Sequence, residues 1–161
     1  MNRGVFLLLG TNQGNRHQNL AMARQLITKN AGKILIFSAV YKTAAWGKPE
    51  QPDFYNQVME IETDEPVEEL LTKLQQIELE MGRIRIEKWG PRIIDIDILF
   101  FGQQIVNTAT LTLPHPGIPE RRFTLVPLAE IASGFQHPVL KLNVKALLAS
   151  CKDPLPVERI D

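Results

Sequence analysis

Residues 3–9 form a nearly unbroken apolar run, which predicts a buried strand ending at Gly10-Thr-Asn-Gln-Gly-Asn15. From about residue 15 to 30 the spacing turns helical, with Leu20, Ala23, Leu26 and Ile27 on one stripe and Gly32 as the stop. Residues 33–41 are rich in β-branched and aromatic side chains and predict a strand. Residues 43–52, carrying Gly47, Pro49 and Pro52, predict a loop. Residues 54–63 alternate about Val58 and Ile61, which predicts another strand. Pro66 suits a helix start, with Asp64 and Glu65 near the positive end of its dipole. Leu70, Leu71, Leu74, Ile77 and Met81 give that helix its core face before Gly82 ends it. A charged loop over 82–91 then leads into an apolar strand interrupted by two aspartates.

Beyond Gly102, residues 103–106 and 111–113 read as short extended pieces, and 117–122 and 125–132 as short helical turns. A last helix is predicted over 144–151, and the Pro-rich tail from Asp153 is expected to fray. The order β-α-β-β-α-β over the first hundred residues is the ferredoxin-like pattern. One α+β domain over residues 1–161 is expected, with an antiparallel sheet as its core and helices packed on the sheet's faces.

The aspartate strand carries the strongest chemical signal. Strict alternation places Ile93, Asp95, Asp97, Leu99 and Phe101 on one side and Ile94, Ile96, Ile98 and Phe100 on the other. Two carboxylates emerging from an apolar stripe are costly unless a cation sits between them. Their Cα atoms stand roughly 6.5–7 Å apart in an extended chain, so the carboxylates can converge. They could bridge two magnesium ions about 3.5–4 Å apart, a spacing suited to two-metal transfer chemistry. Oxygen ligands without nearby cysteine favour Mg²⁺ over Zn²⁺. The bland alternative is an edge strand with one solvated face, but the apolar neighbours argue against it.

Arg83, Arg85, Lys88 and Arg92 surround this strand in sequence. They form either a solvated loop or a cationic lid whose guanidiniums grip phosphate oxygens. Gly10-Thr-Asn-Gln-Gly-Asn15 lacks the spacing of a phosphate-wrapping loop and reads better as a tight turn with an Asn cap. His115 sits in a loop close in sequence to Arg121 and Arg122, which makes a phosphate contact credible.

The formal net charge of zero argues against a nucleic-acid-coating surface. A lone Cys151 excludes an internal disulfide framework, and no segment reads as a membrane span or signal peptide. A cytoplasmic monomer acting on small molecules, without nucleic-acid or membrane partners, is expected.

At these residues the chain resembles the 6-hydroxymethyl-7,8-dihydropterin pyrophosphokinases. The resemblance is carried by Arg83-Ile-Arg85, by Trp89-Gly-Pro-Arg92 running into Asp95-Ile-Asp97, and by Leu113-Pro-His115 followed by Arg121 and Phe123-x-Leu-x-Pro-Leu128. It extends to Gly10-Thr-Asn12, Tyr41-Lys-Thr43, Gln51-Pro-Asp53 and Phe54-Tyr-Asn56. The family implies transfer of a pyrophosphoryl group from ATP to the pterin hydroxymethyl, releasing AMP, in folate biosynthesis. It implies two Mg²⁺ on Asp95 and Asp97, and Arg83 and Arg92 stabilising the transferring group. Gln75, Glu78, Arg85, Trp89, Ile98, Leu111, Thr112, His115 and Arg121 match ATP-contacting positions. Thr43, Ala44, Trp46, Phe54, Asn56 and Phe123 match the pterin pocket, where aromatic faces and a fixed amide suit a flat polar ring.

Several positions depart from the family pattern: Ala44-Ala45-Trp46, Lys88, Thr110, Pro116 and a charged loop one residue shorter. Two rivals stand beside this reading. A different D-x-D transferase or phosphoesterase would need no ring pocket. A ferredoxin-like binding module would give no reason for paired aspartates.

Overall fold

The computed structural model describes residues 2–45, 50–82 and 93–161. The chain runs β1 (Asn2–Thr11), α1 (Arg16–Asn30), β2 (Lys33–Phe37), β3 (Tyr41–Thr43), β4 (Phe54–Thr63), α2 (Val67–Glu80) and β5 (Asp95–Phe101). It continues through β6 (Val106–Asn107), β7 (Thr112–Leu113), a 3-10 turn (Ile118–Glu120), α3 (Arg122–Ala132), α4 (Val144–Ser150) and β8 (Glu158–Arg159). The main sheet is ordered β5-β1-β4-β3-β8, with β2 also pairing β4, and every named pairing in it is antiparallel. Each helix crossing skips one strand position, so β1 and β4 end side by side in the centre. This is the ferredoxin-like arrangement expected.

The two helix pairs cover opposite faces because β1 and β4 are apolar on both sides. Leu7, Leu9, Met59, Ile61, Ile96 and Ile98 pack with Leu20, Ile27, Leu70, Leu74 and Ile77 of α1 and α2. Phe6, Leu8, Val58, Leu99 and Phe100 pack with Leu125, Leu128, Val144 and Leu147 of α3 and α4. Asn15 caps α1 by accepting from Gln18 N at 3.0 Å, as the tight-turn reading requires. Gly32 is needed for close approach, since a Cβ there would lie 2.5 Å from the Glu62 carbonyl oxygen.

Four expectations need correction. The predicted 33–41 strand is two strands, because residues 39 and 40 leave the ladder and bond elsewhere. Ala39 N donates to both Glu130 carboxylate oxygens at 3.2 and 3.1 Å, and Val40 N to Asp161 Oδ1 at 2.7 Å. Strict alternation also fails at the end of β5. The β1–β5 register shifts between Phe6 and Leu7, so Leu99 is bulged and Phe100, not Phe101, joins the α3/α4 side. The helical turn over 125–132 is part of a longer helix, α3, that starts at Arg122 and contains Pro127. Finally, the tail is ordered: β8 pairs β3, and Ile160 packs against the core under α1 and α2.

Candidate active site

The site is built on one row across three strands. Gly10 of β1 stands opposite both Asp95 of β5 and Asn56 of β4. Residues directly opposite in an antiparallel ladder share a face. Two strand spacings put roughly 10 Å between the Asp95 and Asn56 Cα atoms. Asp97 stands opposite Leu8, which belongs to the α3/α4 side. Both aspartates are half-buried while Ile94, Ile96 and Ile98 between and around them are buried on the α1/α2 side. The paired carboxylates therefore share a face, as the alternation predicts.

β5 is an edge strand, and its outer rim is closed by side chains and loops. Glu78 of α2 is 7% exposed and its Oε2 accepts from Ile96 N at 2.7 Å, between the two aspartates. His115 N donates to the Leu99 carbonyl at 3.0 Å, which fixes the 3-10 loop beside Asp97. The His115 Nδ1 accepts from Gly117 N at 3.0 Å, so its ring proton belongs on Nε2. Burial pushes the His115 pKa below the ordinary histidine value, with Asp97 pulling it up and Arg121 adding to the depression. His115 is thus a neutral donor beside the aspartates.

Arg121 packs against Gly117, where a Cβ would meet its Nε at 2.8 Å. Its Cζ lies 5.7 Å from the centre of the Phe123 ring, within cation–π range. On β4, Asn56 is 3% exposed and its Nδ2 donates to Thr43 Oγ1 at 2.9 Å. The Phe54 ring flanks the same floor: a Cβ on Gly10 would lie 3.6 Å from Phe54 Cδ1 and 3.3 Å from Asn56 Oδ1. Asn56, Thr43, Phe54 and Gly10 therefore meet at one end of the sheet. Ala44 is exposed at its rim.

The remaining ATP candidates lie around β5. Ile98 is 3% exposed in the α1/α2-side core, against which Leu111 packs, and Thr112 lies exposed on β7. Gln75 is exposed on α2, one turn before the buried Glu78. Arg83, Arg85, Trp89, Arg92, Trp46 and the Lys88 departure lie outside the described residues.

Three contributors were given no site role from the sequence. Gly10 looked like part of a turn, although an isolated glycine inside a strand signals close approach of something else. Asn12, 1% exposed, donates through Nδ2 to Gln51 Oε1 at 3.3 Å and to the Pro52 carbonyl at 3.2 Å. Arg16 Nη1 donates to the Asp53 carbonyl at 2.8 Å and lies 4.0 Å from the Tyr55 ring centre. Together these hold the 51–53 segment that leads into Phe54.

Paired acids beside a neutral histidine, on one sheet face with a buried amide and an aromatic ring, suit a group-transferring enzyme. Residues 6–133 match the family described as 7,8-dihydro-6-hydroxymethylpterin-pyrophosphokinase (HPPK). The chain belongs to that family, and its reaction is pyrophosphoryl transfer from ATP to hydroxymethyl-dihydropterin in folate biosynthesis. The 2-amino-4-hydroxy-6-hydroxymethyldihydropteridine pyrophosphokinase of Bacillus subtilis is 42% identical over 132 residues, covering 81% of this chain and 79% of that protein. The Haemophilus influenzae protein of the same name is 39% identical over 135 residues, 83% of this chain and 84% of its own length. The folic acid synthesis protein fol1 of Pneumocystis carinii is 38% identical over 94% of this chain, which spans only 20% of it. Among solved structures, Plasmodium falciparum HPPK-DHPS superposes with a TM-score of 0.73 at 20% identity, over 92% of this chain and 43% of that one.

Proposed function

We propose that Asp95 and Asp97 hold two Mg²⁺ ions against the ATP triphosphate while the Gly10–Asn56 end of the sheet seats the pterin. The observation that carries this reading is the shared row of Asp95, Gly10 and Asn56, which puts acids and ring floor on one face. The donor set fits magnesium. Among the described residues no three His, Cys, Asp or Glu side chains cluster as a metal cage. Magnesium commonly takes one or two carboxylates and completes its shell with substrate phosphates and water. Bound there, the ions would supply neutralisation of the triphosphate and greater acidity for the pterin hydroxyl.

The chain's own residues then divide the work. Asn56, oriented by Thr43, presents its amide to the polar edge of the ring, and Phe54 and Phe123 give it faces. Ala44 and Trp46 are further pterin contacts by family resemblance. The hydroxymethyl oxygen attacks the β-phosphorus as its bond to the AMP oxygen breaks. His115 donates from Nε2 to a phosphate oxygen, with Arg121 as a second donor and Gln75, Glu78, Arg85, Trp89, Ile98, Leu111 and Thr112 as further ATP contacts. Arg83 and Arg92 stabilise charge on the moving group. Support for these arginine roles comes from the motif that runs into the aspartate strand.

The chain acts in this reading as a single-domain cytoplasmic monomer. Zero net charge fits the lack of a nucleic-acid role, and no described helix is long and apolar enough to cross a membrane. Asp97→Asn tests the metal assignment. Turnover should fall at least about a hundredfold and the Mg²⁺ requirement should rise. Wild-type turnover at an unchanged Mg²⁺ requirement would refute it.

A further inference from the structure

The C-terminal segment bonds to two pieces of chain that carry residues assigned to the pterin: the start of α3, before Phe123, and β3, which ends at Thr43. On one side Asp153 meets the start of α3. The N-cap residue there, Arg121, makes no side-chain cap bond. Asp153 Oδ2 instead accepts from Arg122 N at 3.1 Å, while its Oδ1 accepts from Leu155 N at 3.0 Å. A carboxylate at this place satisfies an otherwise orphaned helix donor and lies at the positive end of the dipole. Arg122 immediately precedes Phe123, so this cap fixes the backbone that carries the ring.

On the other side the same segment ends as β8. Glu158 and Arg159 pair with Lys42 and Tyr41 of β3, just before Thr43. Ile160 N donates to the Val40 carbonyl at 3.0 Å, and Val40 N returns a bond to Asp161 Oδ1 at 2.7 Å. Lys42 Nζ lies 3.4 Å from Glu158 Oε2. The Ile160 side chain packs against the core under α1 and α2. β3 is only three residues long, and without β8 it would be an edge strand with β4 as its ladder partner.

We propose that residues 153–161 are a positioning strap that sets the distance between the Phe123 wall and the Thr43–Asn56 wall, and so tunes pterin recognition. This rests on the assignment of those residues to the pterin. Glu130 makes a parallel tie farther along α3, accepting from Tyr41 Oη at 2.6 Å and from Ala39 N. With that tie in place, loosening the strap leaves the helix packed but frees its N-terminal turn. None of the strap's described bonds touches β5, and its β8 end lies on β3, away from every ATP candidate; only the Asp153 end reaches the turn that starts at Arg121.

The test compares Asp153→Ala, Asp153→Asn and Ile160→Pro in the full chain, with Phe123→Ala as a pocket control. KM for pterin, KM for ATP, kcat and the melting temperature are measured for each. The strap predicts that Asp153→Ala and Ile160→Pro raise the pterin KM about tenfold. For Ile160→Pro the ATP KM stays within about twofold of wild type. For Asp153→Ala, whose turn also carries Arg121, it rises less than the pterin KM. Asp153→Asn keeps an acceptor and should recover most of the loss. If Phe123→Ala raises the pterin KM while Asp153→Ala and Ile160→Pro do not, the strap is wrong and the pocket stands. If Phe123→Ala leaves the pterin KM unchanged, the pocket assignment fails and the strap falls with it. Equal rises in both KM values would reduce the segment to general stability and overturn the proposal.

Discussion

Gly10 and Asn56 show how much one row of residues decides. The missing side chain at Gly10 lets the Asn56 amide and the Phe54 ring come together over it, where a Cβ would lie 3.3 Å from Asn56 Oδ1 and 3.6 Å from Phe54 Cδ1. Gly10→Val should fill that floor and raise the pterin KM at least about tenfold, with ATP binding little changed; steady-state kinetics in both substrates checks this. Asn56→Ala removes the proposed ring contact and takes the Nδ2 donor away from the Oγ1 of Thr43, a residue 4% exposed. A fall of about a hundredfold in kcat/KM for the pterin is expected. The type of these residues was legible in the sequence, but their meeting was not, because the register that sets Gly10 opposite Asn56 is a long-range property. A third residue, His137, has a purely structural task. Its Nδ1 accepts from Val139 N at 3.2 Å and Leu140 N at 3.0 Å, and burial lowers its pKa. The neutral ring is the folded form, so its contribution is complete above the unfolded value of about 6.5 and is lost as pH falls towards the depressed folded value. His137→Asn should flatten the fall in urea midpoint between pH 7.5 and 5.5 relative to wild type. An unchanged pH slope would contradict this task.

At the scale of elements, β5 combines chemistry with the problem of an open edge. An unpaired edge N–H within the aspartate motif would have to find water or a partner, and Glu78 supplies the partner. Glu78→Ala should lower stability by about 1–3 kcal/mol, while Glu78→Gln, which keeps an oxygen acceptor, should lose less; urea unfolding of both variants measures this. The sequence showed which side of β5 carries the acids, because period two holds from residue 94 to 98. It misplaced Phe100 and Phe101, because a bulge adds one residue to a strand without altering its composition. The 33–41 strand failed for a related reason. Its residue types stay β-like throughout, and only the bonds from Ala39 and Val40 to Glu130 and Asp161 break the ladder.

For the molecule as a whole, the sheet separates stability from chemistry. The face under α1 and α2 is closed by Leu70, Leu74 and Ile77, all at most 1% exposed, and carries most of the core. The other face is covered by α3 and α4 and carries Asp95, Gly10 and Asn56 in one row. Leu74→Ala should therefore cost about 2–5 kcal/mol in unfolding free energy while leaving the products of the folded enzyme unchanged. The helices of both faces were visible in the sequence as apolar stripes. The tail was not, because its proline content predicts fraying and its pairing partner, β3, lies far upstream. The central claim is that acids and ring floor on one face serve a single transfer between ATP and a pterin. Purified protein with MgATP and 6-hydroxymethyl-7,8-dihydropterin, followed by chromatography of nucleotides and pterins, tests it most directly. AMP and pterin diphosphate should appear in equal amounts and only when both substrates are present. ADP as the product, or AMP formed without the pterin, would contradict the account.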